Sequence, residues 1–376
     1  MLRTRIIPLI LLLFYFVSVG RTDNEQSDAT TVARSDTTPY FFYHALPYGT
    51  QANYNPVNVI INGGYGILQI IDYDDEYDRK IFTYPYREWG GNVWETVRHP
   101  LSTINEFGWW RFISTEVLPL TIKGRGNQWV PNYFLHMIGG GMHFRATEEW
   151  YRYHGFRAPR LWSVGTMLAY HALSEIVENR GNEELTVDHL ADLLIFDPAG
   201  MLLFSSDRVC RFFSETLNLA EWSMQPVINV KNGNLENMGQ FYVAKYPLTK
   251  EENWHVMAHF GLHGMFGVTH RWADGEALSF AGGFLVEELI RAAQEDTGRV
   301  LTATLTWRAG VFYDRDNSLL ASLMVSTAPE YRIRLNLYPG ILKLGTLSPG
   351  FFISGSKEWV VGMTIQYIPL GAGWGE

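Results

Sequence analysis

Six ionisable side chains recur on three otherwise apolar segments in the middle of the chain. They are His136, His171, Glu175, Glu178, Asp188 and Asp192. His171, Glu175 and Glu178 are spaced i, i+4 and i+7, so they share one face of a helix. Asp188 and Asp192 are also four residues apart. An unpaired buried carboxylate costs several kcal/mol, so such groups need partners or a ligand.

Two kinds of chemistry suit this set, and a purely structural role is the alternative. As a metal site, His136, Glu175 and Asp192 are the first-choice ligands for a hard or borderline divalent cation. As a proton-transfer site, His171 beside Glu175 forms a general-base pair for a lipid ester or phosphate. A hydrogen-bonded network that holds three helices together would need the same residues without any catalysis.

A helical period across residues 101–217 provides the elements that would position these residues. It predicts helices over Asn132–His154, Arg160–Asn179 and Thr186–Ser205, and a shorter one over Asp207–Leu217. Pro198 should kink the third helix or end it early. The glycine run 139–141 after His136 permits close approach of another backbone.

Four motifs in this region resemble the pattern of VanZ-like helical domains. The resemblance is stronger to an uncharacterised bacterial envelope family in which such a helical unit is joined to β-strands. The motifs are Asn132 to Gly141, Ser174 to Asn179, Asp188 to Asp192 and Phe196 to Gly200. The shared scheme is a His near a glycine turn, a Glu late in the next helix, then an Asp and a Gly in the third. The match covers 129–204 and departs from the scheme at Asp197-Pro198. It implies an envelope architecture and this choice of polar residues, but no particular reaction.

Beyond residue 220 the hydrophobic pattern changes to period two, which is typical of strands with one apolar and one polar face. The clearest segments are Trp254–Arg271, Leu301–Tyr313, Tyr331–Leu337 and Trp359–Tyr367. In the first of them His255, His259 and His263 share the polar face. Residues four apart on a strand lie ~13 Å from each other, so these histidines are predicted to line an interior rather than join at one metal.

These strands are long for a soluble sandwich, and aromatic residues lie at their ends, as in the interfacial girdles of outer-membrane proteins. We therefore predict an antiparallel outer-membrane β-barrel of eight to twelve strands, an even number. Its apolar faces should contact lipid, and Arg308, Arg332 and Arg334 should face the lumen. A soluble sandwich, which would cover the apolar faces with a second layer, is the alternative.

Composition agrees with an exported membrane protein. The 376 residues are 15% aromatic and 18% charged, with a formal net charge of −9, which argues against a nucleic-acid partner. A single cysteine, Cys210, excludes an internal disulfide, a Cys-rich zinc site and an iron–sulfur cluster. Arg3 and Arg5, an apolar run and small residues at 18–20 predict a cleaved signal peptide.

The predicted fold class is mainly β with an α insert: a barrel with a helical bundle between early and late strands. The predicted divisions are a signal peptide (1–20), a flexible tail (21–50), early strands and a loop (51–100), the helical insert (101–217) and the C-terminal barrel strands (218–376). The early strands are placed at Val57–Asn62 and Tyr65–Asp72.

The leading functional hypothesis is an outer-membrane barrel of structural or small-molecule passage type, with a helical plug held by the His/Glu/Asp network. The second is a membrane-embedded hydrolase or transferase that acts on lipid or envelope glycan through that centre. The third is a soluble periplasmic binding domain. Membrane lipid and an envelope-derived small molecule are the expected partners, and the sequence leaves enzyme activity open. Gly-x-Ser-x-Gly, His-Glu-x-x-His, phosphate-loop and dinucleotide signatures are absent from the chain.

Overall fold

The computed structural model describes residues 38–69, 79–119, 129–179, 187–294, 298–328, 332–344, 347–355 and 359–376. Within them the chain forms helices first and one mostly antiparallel sheet afterwards. A mainly β architecture with helices is therefore confirmed. The predicted signal peptide and residues 21–37 lie outside the described residues.

The described helices all precede the sheet. The α-helices are α1 (Gly49–Asn53), α2 (Pro56–Gly64), α3 (Tyr86–Arg98), α4 (Pro100–Phe107), α5 (Trp109–Phe112), α6 (Gly141–Tyr153), α7 (Pro159–Asn179), α8 (Asp188–Ala191), α9 (Asp197–Phe204) and α10 (Asp207–Arg211). The π-helical segments are π1 (Ile113–Val117), π2 (Trp129–Gly140), π3 (Asp192–Phe196) and π4 (Phe212–Thr216). The helices predicted between residues 132 and 217 are thus present, three of them interrupted by π-helical turns.

The strands follow without further helices in the described residues. They are β1 (Ala220–Glu221), β2 (Val227–Asn229), β3 (Leu235–Glu236), β4 (Tyr242–Pro247), β5 (Trp254–Phe260), β6 (His263–Arg271), β7 (Glu276–Gln294), β8 (Gly298–Arg315), β9 (Ser318–Ser326), β10 (Ile333–Leu337), β11 (Pro349–Gly355), β12 (Trp359–Ile365) and β13 (Gly371–Gly375). Their order is β1-β4-β5-β6-β7-β8-β9-β10-β11-β12-β13-β2-β3, and the β13–β2 pair is parallel.

This strand order is open, with β1 and β3 at its ends, so the strands are not closed into the predicted barrel. Thirteen strands among the described residues also exceed the eight to twelve expected. Only residues 222–226 separate β1 from β2, and they continue the backbone bonding on both sides. Trp222 N donates to Phe241 O, and Gly371 N donates to Pro226 O. One short stretch of chain therefore joins the two ends of the sheet.

The segment Trp254–Arg271, predicted as one strand, is a hairpin that turns at Gly261 between β5 and β6. The reversal brings His259 Nδ1 to 2.5 Å from His263 Nε2. The predicted separation of ~13 Å is wrong for this pair because it assumed an uninterrupted strand.

The sheet exposes its apolar face and buries its polar face. On β5 and β6, Trp254 is 44% exposed and Phe266 72% exposed, whereas His255 and Met265 on the other face are buried. Large apolar side chains are exposed across the rest of the sheet as well: Phe280, Phe284, Leu305, Trp307, Leu323, Ile333, Ile353, Trp359, Val361, Met363 and Trp374. A soluble sandwich would cover this face with a second layer. The described residues form no such layer.

The opposite face of the sheet encloses a filled interior. An apolar cluster there contains Trp222, Met224, Phe241, Val243, Met257, Met265, Ala281, Phe312, Leu319, Met324 and Tyr338. Arg308 Nη1 lies 2.8 Å from His263 Nδ1, and Arg334 Nη1 donates to Gln69 Oε1 at 3.2 Å. Arg308 and Arg334 are therefore buried on this face of the sheet, whereas Arg332, which was predicted to face the same lumen, is exposed.

Residues 51–100 form helices where early strands were predicted. Val57–Asn62 lies inside α2, which starts with Pro56 at its first position. The Asn55 side chain caps this helix by accepting from Asn58 N at 2.9 Å. The predicted strand Tyr65–Asp72 begins in a short 3₁₀ turn, and its residues 70–72 lie outside the described residues. The described helices thus precede the sheet and are not an insert between strands.

Residues 38–50, which the sequence assigns to a flexible tail, are anchored to the helices. The buried Glu149 carboxylate accepts hydrogen bonds from the backbone N–H groups of Phe41, Phe42 and Tyr43, each at 2.9 Å. Arg145 Nε donates to the same carboxylate at 3.0 Å. These contacts order the segment because three main-chain donors share one buried charge.

The helical unit, defined as the described residues between 38 and 217, contacts the sheet near both ends of its strand order. Tyr242 of β4, the neighbour of β1, packs in one cluster with α6 and α7. At the other end, Trp89 and Val177 pack against Leu235 of β3. The helices thereby protect edges that would otherwise present unpaired backbone. None of the described helices combines the length and apolarity needed to cross a bilayer.

Candidate metal centre

Four elements bring five ionisable side chains to one place. His136 comes from π2, His171 and Glu175 from α7, and Asp192 and Asp197 are the first residues of π3 and α9. The i, i+4 spacing places His171 and Glu175 on one face of α7. Asp197 N donates to Asp192 O, the i→i+5 bond of a π-helical turn, which stacks these two aspartates.

Glycines allow the elements to approach this closely. A Cβ added to Gly140, at the end of π2, would lie only 3.2 Å from the His171 ring. A Cβ on Gly200 of α9 would lie 2.5 Å from the carbonyl oxygen of Met137. A Cβ on Gly141 would lie 2.7 Å from the carbonyl oxygen of Gly200, which confirms the close backbone approach predicted for the glycine run after His136.

The two ring nitrogens of His136 face different carboxylates. Nδ1 lies 2.9 Å from Asp197 Oδ1 in hydrogen-bond geometry, and Nε2 lies 3.6 Å from Asp192 Oδ2. His171 Nδ1 lies 3.2 Å from the same Asp197 oxygen, and the two imidazole centroids are 5.2 Å apart. Glu175 completes the cluster. One ligand atom from each of His136, Glu175 and Asp192 lies within 4.8 Å of the others.

The cluster is buried and rich in acidic groups. His171, Glu175, Asp192 and Asp197 are buried, and the His136 side chain keeps 14% of its surface exposed. Glu178 and Asp188 are partly buried at its border and interact electrostatically with Glu175 and Asp192. The negative charge therefore exceeds what the two imidazoles can offset.

This environment shifts the pKa values of the group. Burial alone would lower the pKa of His136, but the Asp192 and Asp197 carboxylates outweigh burial and raise that pKa to about 10. Burial and the Asp192 charge raise the pKa of Glu175 well above its usual value. Burial also raises the pKa of Asp192 to about 7 and lowers that of His171 to about 4. The metal-free centre thus retains protons that a cation would displace.

Several buried polar atoms at the centre have no hydrogen-bond partner among the described residues. They are Asp192 Oδ1, Asp197 Oδ2 and both ring nitrogens of His171. His171 Nδ1 is within ion-pair distance of Asp197, but its direction does not meet hydrogen-bond geometry. Buried polar atoms are normally partnered, and a divalent cation would satisfy such oxygens. Imidazole nitrogens with carboxylate oxygens, without sulfur, are a donor set of hard and borderline divalent cations.

The described residues contain two groups that could hold a metal ion. One consists of His136, Glu175 and Asp192, and the other of His136, His171 and Asp197. The first is the ligand set chosen from the sequence. Of the remaining sequence candidates, His171 lies inside the cluster, while Glu178 and Asp188 border it.

Asp197 is the residue that the sequence candidates lacked. On an α-helix, residues five apart point about 140° away from each other, so α-helical geometry would place Asp192 and Asp197 on different faces. The π3 turn removes this difference. Pro198 was the available signal, because it lacks the N–H that a continuous α-helix would use, and α9 restarts with Pro198 in its first turn.

Comparison with known proteins gives no match: no family model fits the chain, and no curated protein or solved structure is detectably similar to it. The resemblance to VanZ-like domains therefore stays a prediction.

Proposed function

We propose that this chain is an outer-membrane protein of structural type whose sheet contacts lipid through its apolar face. The observation that carries this proposal is the inverted burial of the sheet, with Phe266 and Trp254 exposed and His255 buried. Burying apolar surface contributes roughly 25 cal/mol per Å² in water, so a water-soluble sheet is expected to have the opposite arrangement. Acyl chains would supply the missing contact for the exposed side chains.

The spacing of exposed aromatic residues supports a membrane-sized band. Phe284 of β7 pairs with Gly264 of β6 on one side and with Trp307 of β8 on the other. Trp307 and Gly264 therefore lie at the same level of the sheet. Trp272 lies just beyond the other end of β6, eight residues from Gly264, or ~26 Å along the strand, which a strand tilt of ~40° reduces to roughly 20 Å along the membrane normal. Both tryptophans are exposed. Two aromatic girdles about 25 Å apart flank the apolar band of outer-membrane barrels.

The junction between the two ends of the open sheet is the finer part of the proposal. Residues 220–229 are one stretch that bonds to β4 at its start and to β13 at its end. In addition, Met224 N donates to Gly239 O, which extends the bonding beyond β1. We infer that this stretch is the seam of a curled sheet, covered by the helical unit.

The filled interior supports a structural role over small-molecule passage. Aromatic and methionine side chains of the sheet occupy the space that a channel would need. A cavity lined by His255, Thr269 and the Lys245–Asp314 pair, among others, measures about 10 Å³, room for about one water molecule. The helices contact the sheet near the two ends of its strand order. This placement favours a role in sealing the seam over the predicted role as a plug inside a lumen.

Fractionation and gel mobility test the proposal. We expect the protein in the detergent-extracted outer-membrane fraction, with a folded band that migrates faster before boiling than after it. Release of the native protein in a periplasmic wash without detergent would contradict the proposal and favour the soluble periplasmic alternative.

A second function is favoured by the cluster in the helical unit: a divalent-metal centre that acts on lipid or an envelope-derived molecule. His136, Glu175 and Asp192 would hold the ion. Three protein ligands with an open position are typical of catalytic metal sites. Such an ion would polarise a substrate oxygen or lower the pKa of a bound water.

Elemental analysis of the detergent-solubilised full chain tests this second function, together with Glu175→Gln. The control is Glu148→Gln, a buried glutamate that pairs with Arg160 outside the centre. Metal in the wild type and control, and its loss from a correctly assembled Glu175→Gln protein, would support the centre. Wild-type protein without metal after growth and reconstitution with Zn²⁺ or Mn²⁺ would leave only the structural network.

A further inference from the structure

We propose that the cation binds Nε2 of His136 together with Asp192 and Glu175, and that Asp197 is a positioning residue on the opposite nitrogen. This inference rests on the proposed metal centre and specifies its arrangement. The competing arrangement places the ion among His136, His171 and Asp197, which also lie close enough together.

The two sides of the His136 ring differ in spacing. Nδ1 is 2.9 Å from Asp197 Oδ1 with the geometry of a hydrogen bond, so an N–H group occupies this gap. Nε2 is 3.6 Å from Asp192 Oδ2, which is too long for a hydrogen bond. Two ligands each ~2.1 Å from one tetrahedral ion stand ~3.4 Å apart. The Nε2 side therefore has the spacing of two ligands, and the Nδ1 side has the spacing of a donor and its acceptor.

The hydrogen bond to Asp197 also selects the tautomer that a metal needs. When Nδ1 carries the proton, the neutral ring presents its lone pair at Nε2, toward Asp192. Metal-bound histidines commonly donate their other N–H to a carboxylate, which fixes the ring and increases its basicity. Asp197 is in place to do this because the π3 turn stacks it on Asp192.

His171 lies outside the coordination sphere in this arrangement. Its Nδ1 is 3.2 Å from the Asp197 oxygen that already contacts His136. The Cε1–Nε2 edge of its ring lies against the backbone of Gly140, where a Cβ would be 3.2 Å away. His171 is therefore a neighbour of the positioning carboxylate and not a ligand.

The resulting ligand set is one imidazole nitrogen and two carboxylates, whose charges offset those of a divalent ion. Three protein ligands leave at least one coordination position for water or a substrate oxygen, because even tetrahedral coordination requires four ligands. The ligand class is thus a borderline divalent cation, and Zn²⁺ and Co²⁺ are suitable probes.

Metal titrations of four variants separate the two arrangements. The full chain is purified in detergent and stripped with a chelator, and Zn²⁺ affinity is measured by competition with a chromophoric chelator. We expect Glu175→Gln and Asp192→Asn to lose at least 100-fold in affinity, and Asp197→Asn to lose about 10- to 100-fold. His171→Asn should stay within about threefold of the wild type, as should the Glu148→Gln control. Circular dichroism of each apo variant verifies that it is folded.

The Co²⁺ absorption spectrum gives a second readout that does not depend on affinity. At saturating Co²⁺ the His171→Asn spectrum should match the wild type, whereas Asp192→Asn should change it. If His171→Asn removes binding while folded Glu175→Gln keeps it, the ion belongs in the His136–His171–Asp197 group and this inference is wrong. If the wild type binds neither ion, the proposed metal centre fails as well.

Discussion

Placing a charge on the apolar face of the sheet should reveal which solvent that face contacts. Phe266 lies in the middle of β6 and pairs with Ala258 and Gly282, and it is 72% exposed. In water, an exposed position away from special features tolerates substitution within about ±0.5 kcal/mol. On the lipid face of a barrel, arginine near the bilayer midplane costs about 2–4 kcal/mol. Phe266 lies two residues, ~7 Å along the strand, from the level of Trp307, so a cost of about 1–2 kcal/mol, between the interfacial and midplane values, is expected. Phe266→Arg is therefore predicted to reduce the folding equilibrium in bilayers by roughly 5- to 30-fold.

The assay is equilibrium folding into phosphatidylcholine vesicles across a urea series, read from the heat-modifiable gel band and from tryptophan fluorescence. The matched control is Val230→Arg, which adds the same charge at a 62% exposed position beside the β2–β3 turn. The control should shift the free energy of folding by less than about 0.5 kcal/mol. Phe266→Arg that folds as well as the control, or folds equally in buffer without lipid, would refute the lipid-facing assignment.

Three further predictions concern the helical unit. Glu149→Gln should destabilise it by about 1–3 kcal/mol because Arg145 keeps only its half-exposed partner Asp207 and the three backbone donors lose a charged acceptor, measured as faster proteolysis near residues 38–43; unchanged proteolysis would contradict the anchoring role. Gly200→Ala should cost about 1–3 kcal/mol through overpacking against Met137, whereas Gly165→Ala, with open space around it on α7, should stabilise by about 0.5–1 kcal/mol; thermal denaturation compares the two. The folded state raises the pKa of His136 to about 10, so the metal-free protein should lose stability as the pH rises from 7 to 10; His136→Gln should reduce this dependence in urea titrations to the part contributed by Glu175, and an unaltered slope would count against it.

The sequence predicted the helices around the site because their apolar period is long and uninterrupted by strand signals. It also predicted the two-faced strands, since alternation in segments such as Trp359–Tyr367 is independent of which side is buried. The predicted strand at Val57–Asn62 is wrong, because a short run of β-branched and apolar residues fits either a strand or a helix. The Asn55 cap and Pro56 were local helix signals that the hydrophobic pattern outweighed.

Two features of the fold depend on contacts that no local pattern encodes. The turn at Gly261 lies inside an unbroken period-two run, so only the pairing of β5 with β6 reveals it. The position of Asp197 depends on one i→i+5 backbone bond, which gives Asp197 the place of the fourth residue after Asp192 and so turns its facing direction by about 100° relative to α-helical geometry. Candidate residues could therefore be chosen by type and spacing, whereas the partner of the His136 Nδ1 atom could not.

Helix α7 links the candidate centre to the sheet. His171 and Glu175 face the acidic cluster, and Tyr170 beside them donates its hydroxyl to Gln240 Oε1, just before β4, at 2.7 Å. About two turns after Tyr170, Val177 of the same helix packs with Leu235 of β3. These contacts reach both ends of the strand order from a single 21-residue helix. Because packed helices do not deform continuously, any ligand that fixes α7 at Glu175 also fixes the surface that covers the seam, and the structural and metal-binding roles proposed for this chain depend on the same element.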